Sequence, residues 1–404
     1  MFLENKGFEE NILEFNKIIA AYQKCAKGKK KSLDCFRFES QLGKELTQLA
    51  NDINQRTYHP GESRCFVVTN PRAREIWASS FRDRVVHHLI VDHLEPLWLG
   101  DFSGSSYACR KGKGAHAAFK DIKNAVKKIS QGGRKTVWAL QLDIESFFVT
   151  IDREILKELF LKRASDPEII WLINKNFDAD PRFDYKKSGW RDNFKLVSPQ
   201  KSWLARGPRQ GIPIGNLTSQ FGANLYLHEL DFFIQQSFKK CTYFRYMDDL
   251  LFLTDSKENL VQLEEKVNSW LQTYRRQNLN LHKTSLVPLT KGIDYLGFRL
   301  KQVPEPREPL IILPQRKKKW DLVREIKKLE THNWEKLEFP HELAFPLKDL
   351  QRKKLQKLNS RLSYLNISKS FLFRKQTLEK FKKTNFGCYY LKFADGLKTV
   401  KYDG

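Results

Sequence analysis

The feature that most constrains this chain is a pair of neighbouring aspartates set inside an apolar run, TYFRYMDDLLFLT (242–254). Aromatic and aliphatic residues on both sides favour extended backbone, so the polar interruption predicts two short strands joined by a tight turn at Met247 to Asp249. A second apolar run, TVWALQLDI (136–144), reads as a buried strand that ends on Asp143, 105 residues before Asp248. If strand and hairpin are neighbours in one sheet, the three carboxylates converge. Gln220 to Phe233 between them reads as a helix, and the order strand, helix, hairpin predicts an α+β sheet with helices on one face.

Around this centre the periodicities divide the chain. Ile12, Phe15, Ile19 and Tyr22 share one helical face and Phe38, Leu42, Leu46, Leu49 and Ile53 another, which predicts an N-terminal helical hairpin. CFVVTN, Pro71 and REIWASSF read as strand, turn, strand, followed by a helix carrying Val85, Val86, Leu89 and Ile90. The stretch from Asp166 to Pro208 reads as an insertion loop. Beyond Pro304 the chain turns basic and helical, with Leu355, Leu358, Leu362 and Leu365 on one face. The expected domains are 1–135, N-terminal helices and the strand pair; 136–304, the central sheet with an insertion at about 166–208; and 305–404, a basic helical unit.

Charge narrows the partners. Seventy-two Lys and Arg against 47 Asp and Glu leave a net +25, spread along the chain, which suits a polyanion because each cation near a phosphate releases counterions. The six cysteines are scattered without metal-ligand or C-x-x-C spacing, as in a reducing cytoplasm. A charged start with no apolar run behind it, and no apolar stretch of about 18 residues, speak against secretion and membrane crossing.

Paired carboxylates at strand ends suit phosphoryl transfer, in which two divalent metal ions about 4 Å apart stabilise the attacking and leaving oxygens. Magnesium takes carboxylate oxygens and keeps several waters, so two or three aspartates suffice. The order LDIESFF, QGIPIGNLTSQFGANLYL, YMDD, LNLHKT, DYLGFRL resembles the reverse transcriptase family over roughly residues 66 to 300. The resemblance implies a right-hand polymerase fold of fingers, palm and helical thumb, and RNA-directed DNA polymerase activity. It implies metal binding, and catalysis, by Asp143, Asp248 and, less directly, Asp249, with the Ile144 carbonyl as an extra ligand for two Mg2+ ions or substituting Mn2+. Phe148 falls at the steric gate against a ribose 2′ hydroxyl, and Pro71, Arg72 and Arg74 match the segment that grips the incoming triphosphate. Ile214, Gly215, Gln220 and Lys283 complete the implied nucleotide site, Lys283 at a position sometimes cast as general acid. Arg110 and Lys111, with Lys113, look like template contacts, Tyr246 lies with the template and primer, and Tyr295, Leu296 and Gly297 match the primer grip.

Ile214-Gly215-Asn216-Leu217-Thr218-Ser219-Gln220 resembles the reverse transcriptases of diversity-generating retroelements, within the group II intron and retron-like superfamily of bacteria and phages. An apolar Ile214 in place of a polar amide forgoes a hydrogen bond to the substrate and with it part of the discrimination between nucleotides. The resemblance then implies error-prone copying, chiefly opposite template adenines, of a structured template-repeat RNA into cDNA from dNTPs, beside a basic pentameric accessory protein. Competing readings are an antiviral or retron-type reverse transcriptase and, in another class, a non-catalytic RNA-binding splicing helper. About 100 residues after the last boundary suffice for a helical thumb but not for an added RNase H, and no HNH or zinc-ligand pattern occurs.

Overall fold

A computed structural model describes residues 6–315 except 30–31 and 70–71, together with 323–324, 358, 360, 391–394 and 399–402. The chain opens with α1 (Lys6–Ala26), α2 (Leu33–Glu39) and α3 (Leu42–Asn54). The expected hairpin is thus three helices, broken at Ser40 and Gln41. In α1 the fully buried stripe is Ile18, Ala21 and Cys25, with Phe15, Ile19 and Tyr22 at its margin.

Strands β1 (Ser63–Val68) and β2 (Arg74–Ala78) follow and pair antiparallel, from Arg64 opposite Ala78 to Val68 opposite Arg74. Pro71 lies outside the described residues. Helix α4 (Phe81–Trp98) starts where the Ser80 hydroxyl accepts the Asp83 N–H at 3.1 Å, an N-cap that satisfies one of the unpaired donors of the first turn. Helix α5 (Ala115–Ile129), β3 (Trp138–Asp143), the single turn α6 (Phe147–Thr150) and α7 (Arg153–Leu161) come next.

The presumed loop after Asp166 begins instead with a core helix, α8 (Pro167–Asp178), whose Ile169, Leu172 and Ile173 are buried. Asp166 caps it by accepting from Glu168 and Ile169, and Pro167 occupies the first turn, where a missing N–H costs nothing. Only the remainder is irregular: β4 (Tyr185–Lys187) and two 3₁₀ turns, Arg191–Leu196 and Pro199–Lys201.

The chain continues through α9 (Leu217–Ser237), β5 (Thr242–Tyr246), β6 (Asp249–Thr254), α10 (Glu258–Val261), α11 (Leu263–Arg275), β7 (Ser285–Pro288), β8 (Ile293–Tyr295), β9 (Phe298–Gln302) and β10 (Leu310–Pro314). The boundary expected near 305 falls in the connection between β9 and β10, which pair along their full length. Of the leucine-faced helix expected around 355–365, Leu358 is described and buried and the rest lies outside the described residues. The described residues near the C-terminus pair as a hairpin, β11 (Leu391–Ala394) with β12 (Thr399–Tyr402), where helix was expected. No helix among the described residues is long and apolar enough to cross a membrane.

The centre is a four-stranded antiparallel sheet ordered β5-β6-β3-β7. Both of its faces are covered, which corrects the expectation of helices on one face. Leu140, Leu142, Leu250 and Phe252 point into a core built with α1, α3, α4, α7, α8, α9 and α11. Ala139, Leu251 and Leu253 point the other way, against α5 and the β8-β9-β10 sheet. Successive strand residues face opposite sides, so coverage of both faces makes the strands mostly apolar along their length, β6 most completely.

Candidate active site

Register brings the carboxylates together. Asp143, the last residue of β3, lies directly opposite Asp249, the first of β6, so their side chains leave the same face of the sheet. Asp248 is in the turn between β5 and β6. Crowding has an electrostatic consequence: burial, then the charges of Asp249 and Asp143, push the Asp248 carboxyl up to about 7. Burial and then Asp143 raise Asp249 to about 6, with Lys283 and Arg72 pulling it down. Like charges in a partly desolvated site disfavour simultaneous ionisation.

The turn is held from beneath. Met247 adopts φ 60°, a left-handed conformation costly for a side chain of its size. Arg245 donates to the Met247 carbonyl at 3.3 Å and to Asn224 Oδ1 at 3.2 Å. Its other nitrogens grip Asp231 in a two-pronged pair, Nε to Oδ1 at 2.7 Å and Nη2 to Oδ2 at 2.6 Å, with both side chains 0% exposed. Tyr243 completes the group with a 3.0 Å hydrogen bond to Asp231. From the other face of the sheet the Tyr295 hydroxyl reaches the Asp249 carbonyl at 3.5 Å. Sequence reasoning missed Asn224, Asp231 and Arg245, because a buried ion pair spaced 14 residues apart is indistinguishable in sequence from two surface charges.

The segment 278–284 closes the open side. Glu145 N–H donates to Asn278 O at 2.9 Å and Asn280 N–H to Asp143 O at 2.7 Å. These bonds flank the Ile144–Leu279 bridge, so Ile144 turns its own carbonyl away from that segment, toward the β6 side. Lys283 Nζ sits 2.5 Å from Asp143 Oδ2, and Asn280 Nδ2 lies 3.4 Å from the same oxygen. Asn280 is a further contact that the sequence did not single out.

Three segments are joined to one another by backbone hydrogen bonds. Phe147 is the core ring of its pair, and half-buried Phe148 stacks edge-on against it at 5.3 Å. The Phe148 carbonyl accepts the Ile212 N–H at 2.9 Å, and the Ile214 carbonyl accepts the Trp77 N–H of β2 at 2.9 Å. Ile214 is half-buried in this loop, two residues before the Asn216 cap of α9. Gly215, at φ +127°, brings its Cα so close to β2 that a Cβ would stand 3.1 Å from the Trp77 carbonyl. Arg72 and Arg74 are exposed at the β1–β2 turn and the start of β2.

Other sequence-predicted residues sit elsewhere. Gln220 lines a separate cavity with Lys24, His88, Asp92, Phe102 and Arg110. Arg110 has its fork occupied by carbonyls, Ser103 at 2.5 Å, Ser106 at 2.9 Å and Phe102 at 3.2 Å, so it clamps its own loop and the expected template contact has few donors left. Lys111 is exposed, and Lys113 donates to the Gly104 carbonyl at 2.9 Å. Tyr246 ends β5 opposite Asp249, half-buried. Tyr295, 1% exposed, is a core ring whose hydroxyl reaches the start of β6. Leu296 and Gly297, both at positive φ, form the two-residue turn between β8 and β9.

Among the described residues, no three His, Cys, Asp or Glu side chains are gathered tightly enough to hold a metal ion as they stand. The donor set nevertheless fits one. Carboxylate oxygens are the hard ligands a divalent cation of the magnesium type takes, and a cation relieves the repulsion that raises Asp248 and Asp249.

Residues 69–300 match the reverse transcriptase (RNA-dependent DNA polymerase) family, more than half of the chain. The chain belongs to this family. It is 23% identical to Protein YkfC of Escherichia coli K12 over 296 residues, covering 65% of this chain and 72% of that one. It is 25% identical to the group II intron-encoded protein LtrA of Lactococcus lactis over 195 residues, 48% of this chain and 28% of that protein. Among solved structures, apo telomerase from Candida tropicalis aligns with a TM-score of 0.46 at 12% identity, covering 81% of this chain and 60% of that one.

Proposed function

We infer that this RNA-directed DNA polymerase is the enzyme of a diversity-generating retroelement, copying a template-repeat RNA into cDNA with errors concentrated opposite adenine. The observation that carries the polymerase chemistry is the Asp143–Asp249 register with Asp248 beside it in a braced turn. The observation that favours low fidelity is Ile214, half-buried in the loop that precedes α9 and hydrogen-bonds to β2, in a run that reads Ile214-Gly215-Asn216. A side chain without a donor or acceptor leaves nucleotide choice to pairing and shape alone.

In this reading residues 1–135 hold the fingers, 136–304 the palm and 305–404 the thumb. Asp143, Asp248, Asp249 and the Ile144 carbonyl hold two Mg2+ ions, which when bound stabilise charge on the entering and leaving oxygens. Lys283 balances Asp143 and stands ready to donate a proton or counter charge on the pyrophosphate side. Arg72 and Arg74 grip the triphosphate in the bidentate manner of guanidinium on phosphate oxygens. Phe148 excludes the ribose 2′ hydroxyl. The basic accessory protein is the expected partner.

The test is primer extension on RNA with purified protein, its neighbouring RNA and accessory protein supplied, Asp248→Ala as control, and sequencing of the product. DNA with errors opposite adenine supports the whole reading. Accurate DNA moves the chain to the antiviral or retron class, and no Asp248-dependent DNA favours an RNA-binding helper.

A further inference from the structure

Between Arg182 and Arg209 the chain carries eight Lys or Arg against two Asp. The same segment shows Phe183 86% and Trp190 80% exposed, while Trp77, Trp98 and Trp203 are fully buried. We propose that residues 182–210 form a surface for single-stranded RNA, on which the template strand lies on its way to the active site. The proposal rests on the RNA-templated reading and adds a binding surface to it.

The segment is rigid where it must be. Trp203 packs edge-on against Trp77 at 5.1 Å, its backbone N–H donates to Glu75 at 2.9 Å, and the Ser202 hydroxyl bonds the same carboxylate. Arg182 ties the start of the segment to the same anchor, pairing with Asp180 and donating to the Arg206 carbonyl at 2.8 Å. Anchored this way, exposed rings are presented at little entropic cost.

Direction links the segment to the site. β4 runs parallel to β1, Ser63 opposite Tyr185 and Cys65 opposite Lys187. The chain beyond Lys187 therefore travels toward the β1–β2 turn that bears Arg72. Ser188 N–H bonds the Cys65 carbonyl at 2.9 Å, and Gly189 lies against Phe66. Trp190 thus stands toward the Arg72 end of the sheet and Phe183 toward the other, seven residues apart with β4 between them.

A short edge strand with lysines is a common defence against sheet aggregation, but a Trp and a Phe bared at its two ends work against that defence. Rings interleaved with cations are what an unpaired strand needs, because every base has a face to stack and every phosphate seeks a cation. Lys186 pairs with Glu62 at 2.8 Å and Lys195 with Asp192 at 2.9 Å, and such surface pairs exchange for phosphate at little cost. The excess positive charge repels a basic protein partner.

The test uses the full chain and a fluorescent RNA template–DNA primer duplex with a 5′ template overhang of either one or about twelve nucleotides, read by anisotropy. Phe183→Ala with Trp190→Ala should weaken the long-overhang complex roughly ten-fold and the short-overhang complex less than two-fold, and Trp190→Phe should retain most of the difference. Both side chains are exposed, so an unchanged melting curve is expected of the variants. Equal loss on both duplexes, no loss, no overhang preference in the wild type, or loss confined to capture of the accessory protein overturns the proposal. Binding needs no catalysis. Overhang preference in a chain that makes no DNA sinks the polymerase reading alone, and DNA synthesis with overhang-independent binding sinks this surface alone.

Discussion

Two antiparallel hairpins carry charge at their turns, and they are built oppositely. The β5–β6 hairpin is covered on both faces, its turn tied from below by Arg245 and its strand from above by Tyr295. The β1–β2 hairpin belongs to a small three-stranded sheet, and its Arg72 and Arg74 stand in solvent. The difference follows from what each charge must do. Carboxylates that repel one another stay together only where the surrounding structure over-determines them, whereas, in the function proposed above, a guanidinium that meets a triphosphate gains from freedom to close on it.

The comparison breaks most sharply at the acidic turn. Asp248→Ala should lower kcat for primer extension by at least about a thousand-fold, ~4 kcal/mol of barrier, with the melting temperature unchanged or raised. If activity survives, the carboxylates are not the centre of the site. Next in size is the brace. Arg245→Met leaves Asp231 buried without its partner and should cost about 3–5 kcal/mol in chemical denaturation. Adding Asp231→Leu should restore most of that stability without restoring kcat, because Met247 stays unsupported. Full recovery of both would reduce the network to packing.

On the exposed hairpin the effect should be smaller and of another kind. Arg72→Ala is expected to raise KM for the incoming nucleotide about ten-fold, equivalent to ~1.4 kcal/mol, with stability within about 0.5 kcal/mol of the parent. A fall in kcat with unchanged KM would assign Arg72 to the transition state alone.

The smallest effect is electrostatic. Asp248 and Asp249 hold protons more tightly folded, to about 7 and about 6, than a free carboxyl does. Their stabilising contribution is complete below about pH 4 and lost as pH rises through those values. Without metal, the melting temperature of the wild type should therefore drop relative to Asp248→Asn between pH 4 and 7, by about 2–4 °C. Magnesium should close the gap.

Much of this contrast was legible in the sequence, for physical reasons. Burial on both faces wrote β3, β5 and β6 as largely apolar runs, and the adjacent aspartate pair between β5 and β6 marked the turn. Where the reading failed, the cause was local. Composition over 166–208 looks like a loop, and it hid the Asp166–Pro167 start signal and the Ile169, Leu172, Ile173 stripe of α8. Residue type also does not reveal what a side chain already holds, three carbonyls for Arg110 and a core position for Tyr295. Asp231 and Arg245 went unnoticed since contacts between distant residues leave no periodicity.

The reach of Tyr295 to Asp249 also sets a timetable. Asp143 leaves the ribosome more than a hundred residues before the aspartates it must face, Lys283 emerges later still, and the ring that steadies the hairpin comes last. Contacts so distant in sequence form late, so the aspartate turn acquires its full set of braces only once the β8–β9 hairpin is in place.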